Sequence, residues 1–171
     1  MKIKYFSIAC VVLTLASLAM AGVKVDYDTG TDFSDYRTFG WLEGTPAPSD
    51  LVQKRIVAAV ESELTQKGLA SATGDADVFV VTHASVGKQI RIDADTWGYR
   101  GRWHGGWGTT TANVSEIPVG TLVVDLVDAG SKELVWRGIA SETLASNPEK
   151  SEKRINKVVK KLFKKYPASA D

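Results

Sequence analysis

The sequence predicts an α+β domain, a mostly antiparallel sheet of about five or six strands with two helices packed on one face. Three observations carry that expectation. Residues 120–138, Gly-Thr-Leu-Val-Val-Asp-Leu-Val-Asp-Ala-Gly-Ser-Lys-Glu-Leu-Val-Trp-Arg-Gly, set two apolar runs about a turn-rich centre and specify a β-hairpin. Residues 51–67 and 149–166 repeat apolar side chains every three to four positions between helix start and stop residues. The other apolar runs, at 23–27, 36–42 and 76–86, are short and rich in β-branched or aromatic residues, as strands are.

The first 21 residues stand apart from the domain. Lys2 and Lys4 precede an apolar run over 5–18, and Ala19-Met20-Ala21 supplies the small-x-small pattern of a signal-peptidase site. An apolar run of about 14 residues falls short of the roughly 20 that a spanning helix needs, so cleavage after Ala21 is expected rather than anchoring. Residues 22–171 then form a single domain of 150 residues, periplasmic or secreted, a length that supports one ordinary core. Cys10, the one cysteine, lies inside the apolar run with too little hydrophobic segment before it for lipid attachment. The mature domain has no thiol for a disulfide, a nucleophile or a metal ligand. Cleavage leaves 19 basic against 20 acidic side chains, and nothing in that balance calls for nucleic acid.

Within the domain, 23–27 alternates apolar and polar and 36–42 is β-branched and aromatic. The turn formers Thr29, Gly30, Thr31 and Asp32 between them suggest an opening hairpin or strand pair, with Phe33, Phe39 and Trp41 filling the core. Ser49 or Asp50 caps a helix from about Leu51 to Lys67, with Gln53 as the capping-box partner of Asp50. Leu51, Val52, Ile56, Val60 and Leu64 form its apolar stripe, and Gly68 its left-handed stop. Residues 76–86 read as a central strand, with Val78, Val80, Thr82, Ala84 and Val86 on one face and Phe79, Val81, His83 and Ser85 on the other. Residues 89–95 extend it or form a separate short, solvent-facing strand.

The hairpin spans 114–128 and 132–144. Pairing Asp128 with Lys132 puts Leu122, Val124, Leu126, Leu134 and Trp136 on one face, and Val123, Asp125, Val127, Glu133, Val135 and Arg137 on the other, with Asp125 diagonal to Arg137. A one-residue shift opposes Asp128 to Glu133, which disfavours it. The last helix opens with Asn147 as cap and Pro148 at its first position, and buries Ile155, Val158, Val159, Leu162, Phe163 and Tyr166 before Pro167 ends it. Residues 149–165 hold eight Lys or Arg against two Glu, a local net of +6 against −7 for the rest of the mature chain.

Asp32-Phe-Ser-Asp-Tyr-Arg-Thr-Phe-Gly-Trp41, the hairpin of 120–138 and the final helix ending at Tyr166-Pro167 resemble the bacterial envelope family catalogued as domain of unknown function 4136. The resemblance spans nearly the whole mature chain and implies this fold and an envelope location. It implies a lipid anchor in many members, from which Cys10 departs, and it supplies no functional residues.

The functional candidate is the stretch 97–108, where Trp97, Trp103, Trp107, Tyr99, Arg100, Arg102 and His104 alternate with five glycines. Glycine permits close backbone approach, while Trp, Tyr and Arg supply the stacking area and directed donors of binding hot spots. A Gly-rich connector whose aromatics fold back on the sheet is the competing reading. Catalysis has little support, since His83 and His104 are the two histidines and no Ser-His-Asp order is identifiable. A metal held by Asp93, Asp95 and His104 lacks further ligands, and no glycine-rich phosphate loop stands at a strand-to-helix junction. The expectation is a non-enzymatic envelope domain without cofactor, binding an envelope protein or glycan through the loop from Trp97 to Trp107. The alternatives are a small metal-dependent or ligand-binding enzyme using the 93–107 loop, and a peripheral adaptor whose basic 149–165 helix touches anionic membrane.

Overall fold

A computed structural model describes residues 22–96, 110–145 and 147–167, with backbone alone at 91–96 and 110–114. The chain runs β1 (Val23–Tyr27), a 3₁₀ turn (Phe33–Asp35), β2 (Thr38–Trp41), α1 (Asp50–Gln66), β3 (Ala70–Ser71), β4 (Val78–Thr96), β5 (Thr110–Asp128), β6 (Leu134–Thr143) and α2 (Pro148–Phe163). The six strands form one sheet in the order β1-β6-β5-β4-β2-β3. Pairs β1/β6, β6/β5 and β5/β4 are antiparallel, whereas β2 pairs parallel with both β4 and β3. The sheet is therefore mixed, because α1 carries the chain from β2 back to the starting edge, and a strand that re-enters after a helical crossover runs parallel.

β1 and β2 do not pair. The turn formers between them serve a traverse to the far side of the sheet. Asp28 takes the Gly30 N–H at 3.0 Å and the Thr31 hydroxyl at 2.7 Å, and Asp32 caps the 3₁₀ turn through the Ser34 N–H at 2.9 Å. The traverse buries Phe33 and Tyr36, which meet edge-on, and Phe33 also meets Tyr166 edge-on at 5.3 Å. Burial of two aromatic rings outweighs a local hairpin. Asp77 then fixes β2 beside β4, accepting from the Arg37 and Thr38 N–H groups and the Thr38 hydroxyl, all within 2.9 Å.

Both helices cover one face. Phe39, Val78, Val80, Val124, Leu126 and Trp136 meet Val60, Leu64, Val159, Leu162 and Phe163 in a single core, with Trp41 packed at its margin. Trp41 also donates from Nε1 to Glu61 of α1 at 3.0 Å. Leu51 falls outside the α1 stripe at 63% exposure, because five residues from Ile56 place it more than a third of a turn away, and Ala59 takes the buried position instead. Ser49 is the cap residue of α1 but makes no side-chain capping bond. Gln53 does not close a capping box either: its Oε1 accepts from the Ala47 N–H at 2.9 Å, tying the preceding loop to the helix. Gly68 stops α1 at φ +91°, and Asn147 caps α2 by accepting from the Lys150 N–H at 2.8 Å.

The β5/β6 hairpin departs from the expected register. Asp125 lies directly opposite Arg137, Leu126 opposite Trp136 and Val127 opposite Leu134, so Val135 is the extra residue of a β-bulge. Two consecutive side chains, Val135 and Trp136, are buried in consequence, while Leu134 is exposed. Asp128 does face Glu133, its N–H donating to the Glu133 carbonyl at 2.9 Å. No repulsion results, because the Asp128 carboxylate is turned inward to the Gly130 and Ser131 N–H groups and the Tyr36 hydroxyl. Those donors hold its pKa below the usual carboxylate range, the Ser131 N–H most of all.

Candidate functional site

The feature that most exceeds the needs of a core is the length of β4 and β5. They stay paired over nineteen residues each, from Val78 opposite Asp128 to Thr96 opposite Thr110. Support from the rest of the sheet ends much earlier. β6 leaves β5 at Val119, and the last contact on the other side of β4 is the bridge from Thr45 to His83. The nine rows from Lys88 opposite Pro118 to Thr96 opposite Thr110 therefore form a two-stranded ribbon about 30 Å long. Residues 89–95 belong to this ribbon as a continuation of β4. Pro118 stands where the support ends: its carbonyl accepts from Leu144 at 2.9 Å, and its missing N–H is tolerated because β5 has become an edge. Lys88 and Glu116 bridge the ribbon's first rows at 2.6 Å, a largely exposed ion pair of small energetic weight. Ile90 is 66% exposed, so the ribbon is not sheltered by the helices.

A second feature lies at the ribbon's base. Along the helix-facing side of β4, β5 and β6 the bulky row of Val80, Leu126 and Trp136 gives way toward the ribbon to smaller rows, Thr82, Val124 and Gly138, then Ala84, Leu122 and Ala140, then Val86, Gly120 and Glu142. The first turns of α1 and α2 sit over these small residues without filling the space. The result is a cleft of about 190 Å³ between Val52 and Ile56 of α1, Ile155 and Val158 of α2, and the sheet floor at Ala84 and Ala140. Glu142, Ser151 and Arg154 add polar groups, and Arg154 Nη1 donates to the Thr143 carbonyl at 2.5 Å. This cleft escaped the sequence reading, although the run of small residues in alternate, helix-facing positions was its signal.

Among the described residues the opposite sheet face carries no helix. Asp125, near its centre, is buried and takes two bonds from Arg137, Nε to Oδ1 at 2.7 Å and Nη2 to Oδ2 at 2.6 Å. This fork raises the pKa of the guanidinium further. His83 accepts the Thr45 N–H at Nδ1, 3.1 Å, which assigns its ring proton to Nε2 and ties it to the loop after β2.

The residues singled out in the sequence, Trp97, Tyr99, Arg100, Arg102, Trp103, His104 and Trp107, lie outside the described residues. The structure does place the two chain positions that flank them, Thr96 and Thr110, side by side at the far end of the ribbon. Asp93 and Asp95 occupy ribbon rows opposite Asn113 and Thr111. Among the described residues no group of three His, Cys, Asp or Glu side chains is placed to hold a metal ion. No helix among them is long and apolar enough to cross a membrane.

Fold and features together define a small α+β sandwich domain that projects a β-ribbon from one end. The chain belongs to the family described as Domain of unknown function (DUF4136), whose model matches residues 23–168. It is similar in fold to a DUF4136 family protein from Bacteroides thetaiotaomicron, at 18% identity over 86% of this chain and 96% of that one, with a TM-score of 0.52. It is also similar to a PelC dodecamer subunit from Paraburkholderia phytofirmans, at 13% identity, covering 88% and 100% with a TM-score of 0.53. A PDZ domain protein from Parabacteroides distasonis matches at 14% identity over 88% of this chain, with a TM-score of 0.57. The chain spans about a third of that protein's length, 36%. No curated protein matches the chain.

Proposed function

We propose that this is an exported, non-enzymatic binding domain of the bacterial envelope, which meets an envelope protein or glycan with the far end of its ribbon. The observation that carries the reading is the ribbon itself. Nine rows of paired strand beyond the sheet add nothing to the core. A two-stranded hairpin alone is marginal in water, so its extension is explained by contact made at its end. The sequence between the paired positions Thr96 and Thr110 holds three tryptophans, a tyrosine and two arginines, residue types concentrated at binding hot spots. Export rests on Lys2, Lys4, the apolar run and Ala19-Met20-Ala21.

The test replaces Trp97, Trp103 and Trp107 with Ala, alongside photoreactive groups at Trp97 and Trp103 in intact cells. The expected outcome is one recurrent crosslinked envelope component, lost in the triple variant while the thermal midpoint stays in place. A midpoint lowered by many degrees would make the tryptophans packing residues and overturn the proposal.

A second reading, salt-sensitive contact with anionic membrane, has its own observation. The apolar stripe of α2 is buried against the sheet, leaving Lys150, Lys153, Lys157, Lys160, Lys164 and Lys165 exposed. Their combined attraction to an anionic surface would fade with added salt.

A further inference from the structure

We propose that the cleft at the base of the ribbon binds the acyl chain of an anionic amphiphile, with the head group held by Arg154. This inference stands apart from the ribbon reading. About 190 Å³ exceeds the roughly 150 Å³ at which an apolar cavity already accommodates a benzene ring. Its floor is built from small side chains, Ala84 and Ala140, on the same strands that hold Val80, Leu126 and Trp136 two helix-facing rows away. A domain that needed this space for its core would fill it, since interiors pack to crystal-like density.

The shape of the wall selects an elongated guest. Val86 and Leu144, 50% and 42% exposed, carry the apolar lining from the interior to the surface, so a chain can enter with one end left in water. Leu144 rests on Gly120, where an added Cβ would come within 2.7 Å of its Cδ2, and it can swing aside because nothing covers more than part of it. The charge at the lining selects the head. Arg154 lines the cleft with Nη1 donating to the Thr143 carbonyl, and its other N–H donors suit a carboxylate. Glu142 lines the same cleft, so a singly charged head is accepted more readily than a dianion.

The experiment is calorimetric titration of the mature chain with octanoate, decanoate, dodecanoate and dodecanol below their micelle concentrations. One-to-one binding is expected, tightening about fourfold per methylene until the cleft is filled. Arg154→Gln should weaken dodecanoate about tenfold and leave dodecanol unchanged. Ala84→Leu, which fills the floor, should abolish both, and Val86→Asp at the exposed lip should do so without any demand on the core. Absence of saturable binding, affinity independent of chain length, or full binding by both blocking variants would overturn the proposal. Equal dodecanoate affinity with and without Arg154 would overturn its role. A concentration-dependent dimer dispersed by Val86→Asp would give the cleft to a second copy of the chain instead.

Discussion

Tyr166 shows how a single residue can be essential in outline and dispensable in detail. Its ring touches Phe33, Trp136 and Phe163, joining the traverse after β1 to the end of α2. Its hydroxyl is buried and has no hydrogen-bond partner among the described residues. A buried, unpaired hydroxyl costs about 1–3 kcal/mol in lost hydration. Tyr166→Phe is therefore expected to leave denaturant stability unchanged or raise it by about 1 kcal/mol, whereas Tyr166→Ala should cost about 3–5 kcal/mol through the cavity it opens. Urea titration of the two variants separates ring from hydroxyl, and a marked loss in the Phe variant would mean that the hydroxyl has a partner.

At the scale of elements, the ribbon and the sandwich are separable. Every described contact of the core lies on the sheet side of Gly87 and Val119. Replacing residues 88–118 with a two-residue Asn-Gly turn should leave a folded domain whose thermal midpoint shifts by only a few degrees, checked by calorimetry. Unfolding of the shortened chain would show that the ribbon carries stability. Much of this level was legible beforehand. The α2 stripe, its Asn147 cap and the Gly68 stop are decided within a few residues, and the structure keeps them. The partner of β1 was not legible, because Val23 pairs with Ala140 across more than a hundred residues and nothing local marks that choice. Nor was the bulge at Val135, since alternation alone cannot show that Asp128 has turned its carboxylate inward. The cleft was hidden for a related reason: small residues become a floor only when three strands align their rows.

The whole molecule carries its pH dependence in its turns. Asp28, Asp32, Asp77 and Asp128 all have lowered pKa values, because each carboxylate accepts N–H or O–H donors in the folded chain: Gly30 for Asp28, Ser34 for Asp32, Arg37 and Thr38 for Asp77, Ser131 and Tyr36 for Asp128. A lowered folded pKa gives stability that is present above the unfolded value of about 3.9 and lost as pH falls below it. Burial pushes Tyr166 up to about 12, the opposite case, so its contribution holds below the unfolded value of about 10 and is lost as pH rises toward 12. The thermal midpoint should therefore be flat between about pH 5 and 9, falling on both sides. Tyr166→Phe should soften the alkaline fall, and Asp77→Asn the acid one. A midpoint that declines steadily through neutrality would contradict this assignment.

The pairing of β1 with β6 has a temporal meaning as well as a spatial one. The first strand of the domain finds its neighbour only when the sixth has been made, and the ring of Phe33 finds Tyr166 only when the final helix is complete. Such distant closures put the folding of this chain at its end, after nearly every residue is present, as expected for a topology rich in non-local contacts. Until its last turn of helix arrives, such a polypeptide keeps its first strand without its partner and its aromatic rings without their seat.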